Sequence, residues 1–432
     1  MNPTTVAVLG IVLMFVLMML RVPVAFAMLL AGVIGNAYLL TTGVSLHIMA
    51  TNVWGQFASY SLSVVPLFVL MGQITFHSGV TERLYNAAHK WVGRLPGGLA
   101  ATTILASMGF AAICGSNSAT AATMGTVALP EMKRYKYDGA LSTGAVAIGG
   151  TLGVVIPPSV VLIIIAVQTE QSIVKLFLAN IIPGVILTAL LLATVFVVAF
   201  RNPTLGPPAD STTWKEKFTS LTGVVEAIAL FALVIGGLYA GWFTPTQAGA
   251  AGAFGAIIIG FARRTLSLKG LHLAIGETLR TSAMVVLLIT GAVLFGKFLT
   301  VTRLPFDLAE WATGLPIPPI GILGVVLFIY LIGGCLMDAL GFLVATIPIF
   351  FPLAVALGYD PIWFTVMLTL VTTMGAVTPP VGVNVYIVSG LVPDIPIQTI
   401  FRGVMVFLIA YVIVLLLLVV FPQLALFLPN SL

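Results

Sequence analysis

The chain is 432 residues long, 60% hydrophobic and only 7% charged, with a mean hydropathy of +1.17, whereas a soluble globular protein is about 25% charged. Eighteen Lys and Arg with 13 Asp and Glu cannot cover a soluble fold of this size, so the solvent for most of the chain is lipid. The formal charge of +5 sits in small basic groups between apolar runs, which is the pattern of positive-inside topology signals and speaks against nucleic-acid binding.

A span takes roughly 20 apolar residues, and about ten spans fit once loops are set aside. The first is predicted over about 4–20. Ala25-Phe26-Ala27 imitates a cleavage site, but a secretory signal has its positive charge before the apolar run. Here Arg21 follows it, which predicts a retained helix ending in the cytoplasm. The chain returns outward over 22–42 and inward over 55–78. Val80 to Arg94 then sets Glu82, Arg83, His89, Lys90 and Arg94 among Leu84, Tyr85, Trp91 and Val92, as an amphipathic helix on the cytoplasmic surface would.

The apolar segment 97–132 is interrupted by Gly115-Ser116-Asn117-Ser118-Ala119-Thr120, and basic residues flank both ends. Two basic flanks place both ends on one side, so a re-entrant hairpin is predicted, its polar tip near mid-membrane. A helix over 138–167 is broken at Gly153 to Ser159, around Pro157-Pro158, and another span follows over 176–200. The polar stretch 201–219 is a cytoplasmic linker. Beyond it come spans over 220–241 and 247–262, a basic cytoplasmic segment with Arg263, Arg264, Lys269 and Arg280, and a span over 281–301. An outer arm with Arg303, Asp307 and Glu310 leads to a second hairpin, 320–358, entering from outside with its tip at Gly333 to Asp338. The helix over 361–390 is broken at Gly375 to Pro380, and the last span covers 401–425. This threading leaves only Lys175, Lys297 and Arg303 of the 18 basic residues outside the cytoplasm.

At one constant offset Pro130 meets Pro352, Tyr137-Asp138 meets Tyr359-Asp360, Thr151 meets Thr373, Gly153 meets Gly375 and Pro157-Pro158 meets Pro379-Pro380. Five spans precede the linker, an odd number, so the second copy is predicted upside down. The expected architecture is an all-α polytopic membrane protein of two inverted repeats, 1–200 and 220–432, each with five spans, a hairpin and a Pro-Pro-broken helix. Inverted repeats with interrupted helices are typical of secondary transporters, with the site at the repeat interface.

Irregular backbone at membrane depth is tolerated where it lines a cavity or is buried in protein, and half-helix ends offer carbonyls to a cation and amides to an anion. Ser116, Asn117 and Ser118, with carbonyls from Gly153 to Pro157, form an all-oxygen set suited to a hard cation such as sodium. In the second half Asp338 is the acid placed deepest, a functional candidate by default, with Thr373, Gly375 and Thr378 across the gap. Thr120, Thr151, Ser159 and Asn384, at or beside the breaks, are the candidate substrate contacts. Glu226 and Lys297 lie close enough to helix ends to snorkel. Cys114 and Cys335, like the scattered histidines, match no metal or redox pattern. Gly291-x4-Gly296-Lys297 imitates a phosphate loop, but Phe298 stands where Ser or Thr must bind magnesium. Neither an ATP site nor a catalytic cluster is expected, so transport would draw on an ion gradient.

Gly115 to Ala122, Leu129-Pro130-Glu131-Met132, Tyr137-Asp138, Gly149 to Gly153, Ile156 to Ser159 and the later Thr-Pro-Pro-Val-Gly-Val-Asn segment together resemble the large membrane subunit of tripartite ATP-independent periplasmic (TRAP) transporters. The resemblance implies a sodium-coupled importer of the bacterial or archaeal inner membrane, moving hairpins and broken helices as an elevator against a scaffold. It also implies a small four-helix membrane subunit, not fused to this chain, and a soluble periplasmic binding protein. The implied cargo is a small organic acid: a C4-dicarboxylate, a sialic acid or a 2-oxo acid. Two other readings of the residues are a stand-alone ion antiporter or channel of similar architecture, and a membrane enzyme acting on lipid.

Overall fold

The computed structural model describes residues 2–431, and their regular structure is helical throughout. The first half comprises α1 (Pro3–Met19), α2 (Val24–Leu39), α3 (Thr42–Phe57), α4 (Val64–His77), the surface helix α5 (Val80–Val92), α6 (Gly98–Cys114), α7 (Asn117–Arg134), α8 (Gly139–Val155), α9 (Val160–Gln168) and α10 (Ile173–Arg201). After the linker come α11 (Trp214–Ser220), α12 (Thr222–Phe231), α13 (Gly237–Tyr239), α14 (Pro245–Ala262), α15 (Leu268–Val301) and α16 (Leu304–Thr313). The last group is α17 (Pro319–Leu336), α18 (Ala339–Ala356), α19 (Pro361–Gly375), α20 (Val383–Leu391), α21 (Ile397–Val420) and α22 (Gln423–Leu426). Among the described residues, eight helical segments are long and apolar enough to cross a membrane, or nine when α8 and α9, bent by 40°, count as one span. Length separates these from α1 and α2, which have 17 and 16 residues.

Local chemistry sets the helix starts. Asp138 Oδ1 accepts from Ala140 and Leu141 N–H at 2.9 and 3.1 Å, and Asp360 Oδ1 accepts from Ile362 and Trp363 N–H at 2.9 Å each, satisfying amides that a helix start leaves free. Asp138 and Asp360 therefore open the two helices that later break at Pro-Pro. Close helix packing then depends on small residues, as membrane interfaces do. Gly144 of α8 faces the Gly403 backbone of α21, where a Cβ would come within 2.6 Å of the Gly403 carbonyl carbon.

Three departures from the expected threading have physical causes. Residues 43–54, left between spans, fall within α3 (Thr42–Phe57); Thr41 caps it through Val44 N–H at 3.3 Å. The span expected over 281–301 begins at Leu268, so α15 runs for 34 residues and absorbs Lys269 and Arg280 into one helix. Glu226 does not snorkel. It is buried, with Arg83 Nη2 at 2.8 Å and Arg263 Nε at 2.7 Å, so the amphipathic α5 and the end of α14 are clamped to α12 by one carboxylate. Lys297 is exposed. The linker is not loose: its Gly206 O and Leu205 O accept from Gly97 and Asp138 N–H at 2.8 and 2.9 Å, and its Ala209 N–H donates to Gly93 O at 2.9 Å, tying it to the feet of the first hairpin and of α8.

Candidate functional site

Two hairpins carry the site. In the first, α6 ends at Cys114, Gly115 turns with φ of +66°, and Ser116 starts α7 by accepting Ala119 N–H at 3.4 Å. Glycine suits that left-handed turn because it has no Cβ to clash. In the second, Met337 and Asp338 join α17 to α18, and Asp338 Oδ2 accepts Leu340 N–H at 3.1 Å. Cys114 and Cys335 end up at the two tips, one partly and one fully buried.

Each tip packs on a break. At the first, Gly153 of α8 lies against Ser116 and Thr120, and Gly115 against Pro158 and Ser159. At the second, Gly375 of α19 lies against Gly334 and Cys335, and Gly382 N–H donates to Cys335 O at 2.9 Å. The pairing of Ser116 with Gly153, and of the Asp338 hairpin with Gly375, follows the expectation from sequence.

The backbone accounts of the two breaks differ. Pro157 and Pro158 carry no N–H, so the carbonyls of Gly153 and Val154 lose the donors that a continuing helix would supply. Pro379 and Pro380 do the same to Gly375 and Ala376, but there Thr378 N–H reaches Gly375 O at 2.8 Å and Asn384 N–H reaches Ala376 O at 3.0 Å. The second break is knitted by its own backbone. The first is entirely buried, whereas Pro379 and Pro380 are exposed.

The two tips, expected to make separate cages, share one cavity of about 410 Å³. Its wall includes Ser116, Asn117 and Ser118 of the first tip, Asp338 of the second, Val160 of α9, and Glu277 and Thr281 of α15. Asp338 is exposed to this space, and Asn117 is 6% exposed with neither Oδ1 nor Nδ2 hydrogen-bonded. A buried amide without partners is costly. Glu277, absent from the sequence candidates, is held by His77 Nε2 at 3.2 Å. Its position among basic neighbours at the start of a long helix gave no signal that it lines a cavity.

The other candidates lie off this wall. Thr373 and Thr378 spend their hydroxyls on Thr369 O at 2.8 Å and Met374 O at 2.7 Å, as helical threonines often do. They buttress the second break and do not face Asp338 across the cavity. Thr120 Oγ1 donates to Ser116 O at 2.7 Å and Asn384 Nδ2 to Ala147 O at 3.2 Å. Thr151 Oγ1 donates to Ile148 O and accepts from the buried Tyr411 hydroxyl at 2.6 Å. Ser159 Oγ is buried and unpartnered behind the first break. The Gly291 to Phe298 stretch runs inside α15, so it offers no phosphate loop.

Comparison with known proteins completes the picture. The family model "Tripartite ATP-independent periplasmic transporter, DctM component" matches residues 11–424. The C4-dicarboxylate TRAP transporter large permease protein DctM of Pseudomonas aeruginosa is 34% identical over 387 residues, 89% of this chain and 90% of that protein. The sialic acid TRAP transporter large permease protein SiaM of Vibrio cholerae is 34% identical over 411 residues, 94% of this chain and 95% of that protein. Among solved structures, the YdaH transporter of Alcanivorax borkumensis superimposes with a TM-score of 0.60 over 98% of this chain and all of that one, at 14% identity. That likeness concerns the fold alone.

Proposed function

This chain belongs to the DctM component family of tripartite ATP-independent periplasmic transporters, and from that premise we propose that it imports a small organic acid into the cell by sodium coupling. It is a multi-pass membrane permease subunit, not an enzyme. The proposed cargo is a C4-dicarboxylate, sialic acid or 2-oxo acid, handed over by a soluble periplasmic binding protein. A small four-helix subunit completes the membrane part. The two halves act as inverted repeats, and the hairpins with α8, α9, α19 and α20 move as an elevator.

One observation carries this reading: the cavity between the hairpin tips, where Asn117 is buried and unpartnered and Asp338 of the second tip shares the wall with it. The donors fit sodium, a hard cation taking oxygen ligands. Asn117 Oδ1, the Ser116 and Ser118 hydroxyls, the carbonyls of Gly153 and Val154 freed by proline, and the Asp338 carboxylate are all oxygens. Pro157 acts here by lacking its N–H. A cavity of this volume falls in the range of small-molecule sites.

The test is uptake into proteoliposomes containing the chain and its small subunit, supplied with its binding protein and loaded acid. An inward sodium gradient should drive accumulation, and replacing external sodium by choline should abolish it. Equal uptake in both salts would reject sodium coupling.

A further inference from the structure

Away from the hairpin tips, a second cavity of about 400 Å³ opens between the surface helix α5, the hairpin arm α6 and α12. Leu84 and Trp91 line it from α5, Met108 and Ala112 from α6, and Val224 and Phe231 from α12; Ile156, at the start of the first break, reaches it too. The wall is apolar. Trp91 belongs to a surface cluster as well as to this groove. Its indole N–H donates to Lys217 O at 3.2 Å, its ring meets Phe218 edge-on at 5.9 Å between centroids, and Lys217 Nζ lies 5.9 Å from the Trp91 ring and 4.9 Å from the Trp214 ring. Trp214 and Phe218 are 69% and 61% exposed. Lys90 is 3.8 Å from Glu216, while Arg94, Lys215 and Lys217 have no acidic partner among the described residues.

An apolar slot capped by exposed aromatics and unpaired cations has the two-part chemistry of a phospholipid. Acyl chains match the slot, and aromatic rings with lysines match the headgroup level, where the cytoplasmic leaflet is anionic. We propose that this groove is a binding site for an anionic phospholipid, one acyl chain lying between α6 and α12 against Ile156 and the headgroup phosphate near Lys215, Lys217 and Arg94. The groove joins the hairpin arm to α12, so its occupant sets how tightly those helices pack behind the first break. The site is independent of sodium coupling and of the cargo.

The test uses the full chain, delipidated in neutral detergent, and thermal unfolding titrated with dioctanoyl phosphatidylglycerol, dioctanoyl phosphatidylcholine, or inorganic phosphate. Wild type should bind the anionic lipid about thirtyfold more tightly than the zwitterionic one, as two lysines near a headgroup warrant. Inorganic phosphate alone should not stabilise. The double variant Lys215→Gln with Lys217→Gln should lose most of the headgroup preference, the remainder resting on Arg94, and keep the weaker shared affinity. Ala112→Leu, which fills the slot, should weaken both lipids alike. Equal affinity for the two lipids in wild type, or a preference undiminished in the double lysine variant, overturns the proposal. Stabilisation by phosphate equal to that by lipid overturns it in favour of an anion site, and a groove filled by a helix of the small subunit would be indifferent to headgroup charge.

Discussion

Gly153→Ala is the smallest change that should part the first hairpin tip from the first break. An added Cβ would lie against the Ser116 carbonyl oxygen, 2.5 Å from the Ser116 carbonyl carbon and 2.7 Å from Thr120 Oγ1. Ordinary contacts begin near 3.4 Å, so tip and break must separate by roughly 1 Å to restore van der Waals spacing. Neither neighbour can swing aside, because one is backbone and the other is bonded to Ser116 O at 2.7 Å. Overpacking of this kind costs about 1–3 kcal/mol. Alanine in place of glycine inside a helix returns up to about 1 kcal/mol, so net destabilisation should be small, about 0–2 kcal/mol. The proposed ion site should suffer more than the fold, since the oxygens assigned to it come from both sides of the contact. The assay is thermal unfolding in sodium chloride against choline chloride. A ligand at a hundred times its Kd stabilises the folded state by about 2.7 kcal/mol, so wild type should show a sodium-specific shift and Gly153→Ala should lose most of it while unfolding near the wild-type temperature in choline. Gly55→Ala, which meets nothing within 4 Å, is the control and should keep the shift. A full sodium response in Gly153→Ala would refute the placement of the ion between tip and break.

Asp338→Asn should preserve folding, because asparagine also caps the Leu340 N–H, yet reduce sodium-driven uptake at least tenfold, the effect of about 1.4 kcal/mol; wild-type uptake would remove Asp338 from coupling. Glu226→Gln should destabilise the chain by about 2 kcal/mol, below the 3–5 kcal/mol of a fully buried pair because Arg83 and Arg263 are 24% and 48% exposed. A double-mutant cycle with Arg83→Ala should show coupling of at least about 0.5 kcal/mol, and additivity would count against the clamp. His89, half-buried on the surface helix α5, has its pKa held below the usual histidine value chiefly by burial. The unfolded chain therefore takes up this proton first as pH falls, so stability should drop as pH passes down through about 6.5. Unfolding temperatures of His89→Gln between pH 8 and 5 should fall less than those of wild type, and parallel curves would exclude His89 as the source.

Proline and glycine act within a few residues of themselves, which is why the breaks and hairpins were legible from sequence. The segment expected over 138–167 divides into α8 and α9 where Pro157 and Pro158 remove two amides, and the Gly115-Ser116 interruption marks the turn between α6 and α7. Features that depend on distant partners were not legible. Arg83 lies 143 residues before Glu226, and no periodicity could say that an acid in an apolar run would meet two arginines. The same holds for Thr151 and Tyr411, and for Glu277, whose place on the cavity wall depends on how α15 leans against the hairpin tips. The α3 helix escaped because Ser45, His47, Thr51, Asn52 and Gln56 interrupt any apolar run that would mark a span. The internal matches set Gly and Pro-Pro at corresponding positions in the two halves, yet the second break has backbone donors that the first lacks, since what closes those carbonyls is the chain that follows.

The charge inventory of the shared cavity constrains the order in which solutes can occupy it. Among the described residues its wall carries two carboxylates, Asp338 and Glu277, and no lysine, arginine or histidine. An organic acid entering alone would meet like charge, and two unit charges 4 Å apart interact by about 4 kcal/mol at an effective dielectric constant of 20. A cation placed first at the Asn117 and Asp338 oxygens reverses that sign. Sodium should therefore raise the affinity for the acid, and by linkage the acid must raise the affinity for sodium by the same factor. Departure of sodium into a cell that keeps its concentration low would restore the repulsion and expel the acid. Under the proposed function, the sodium gradient sets the direction of transport and the absence of a fixed positive charge makes the acid depend on sodium: a basic residue in the wall would hold the acid without sodium and uncouple the two.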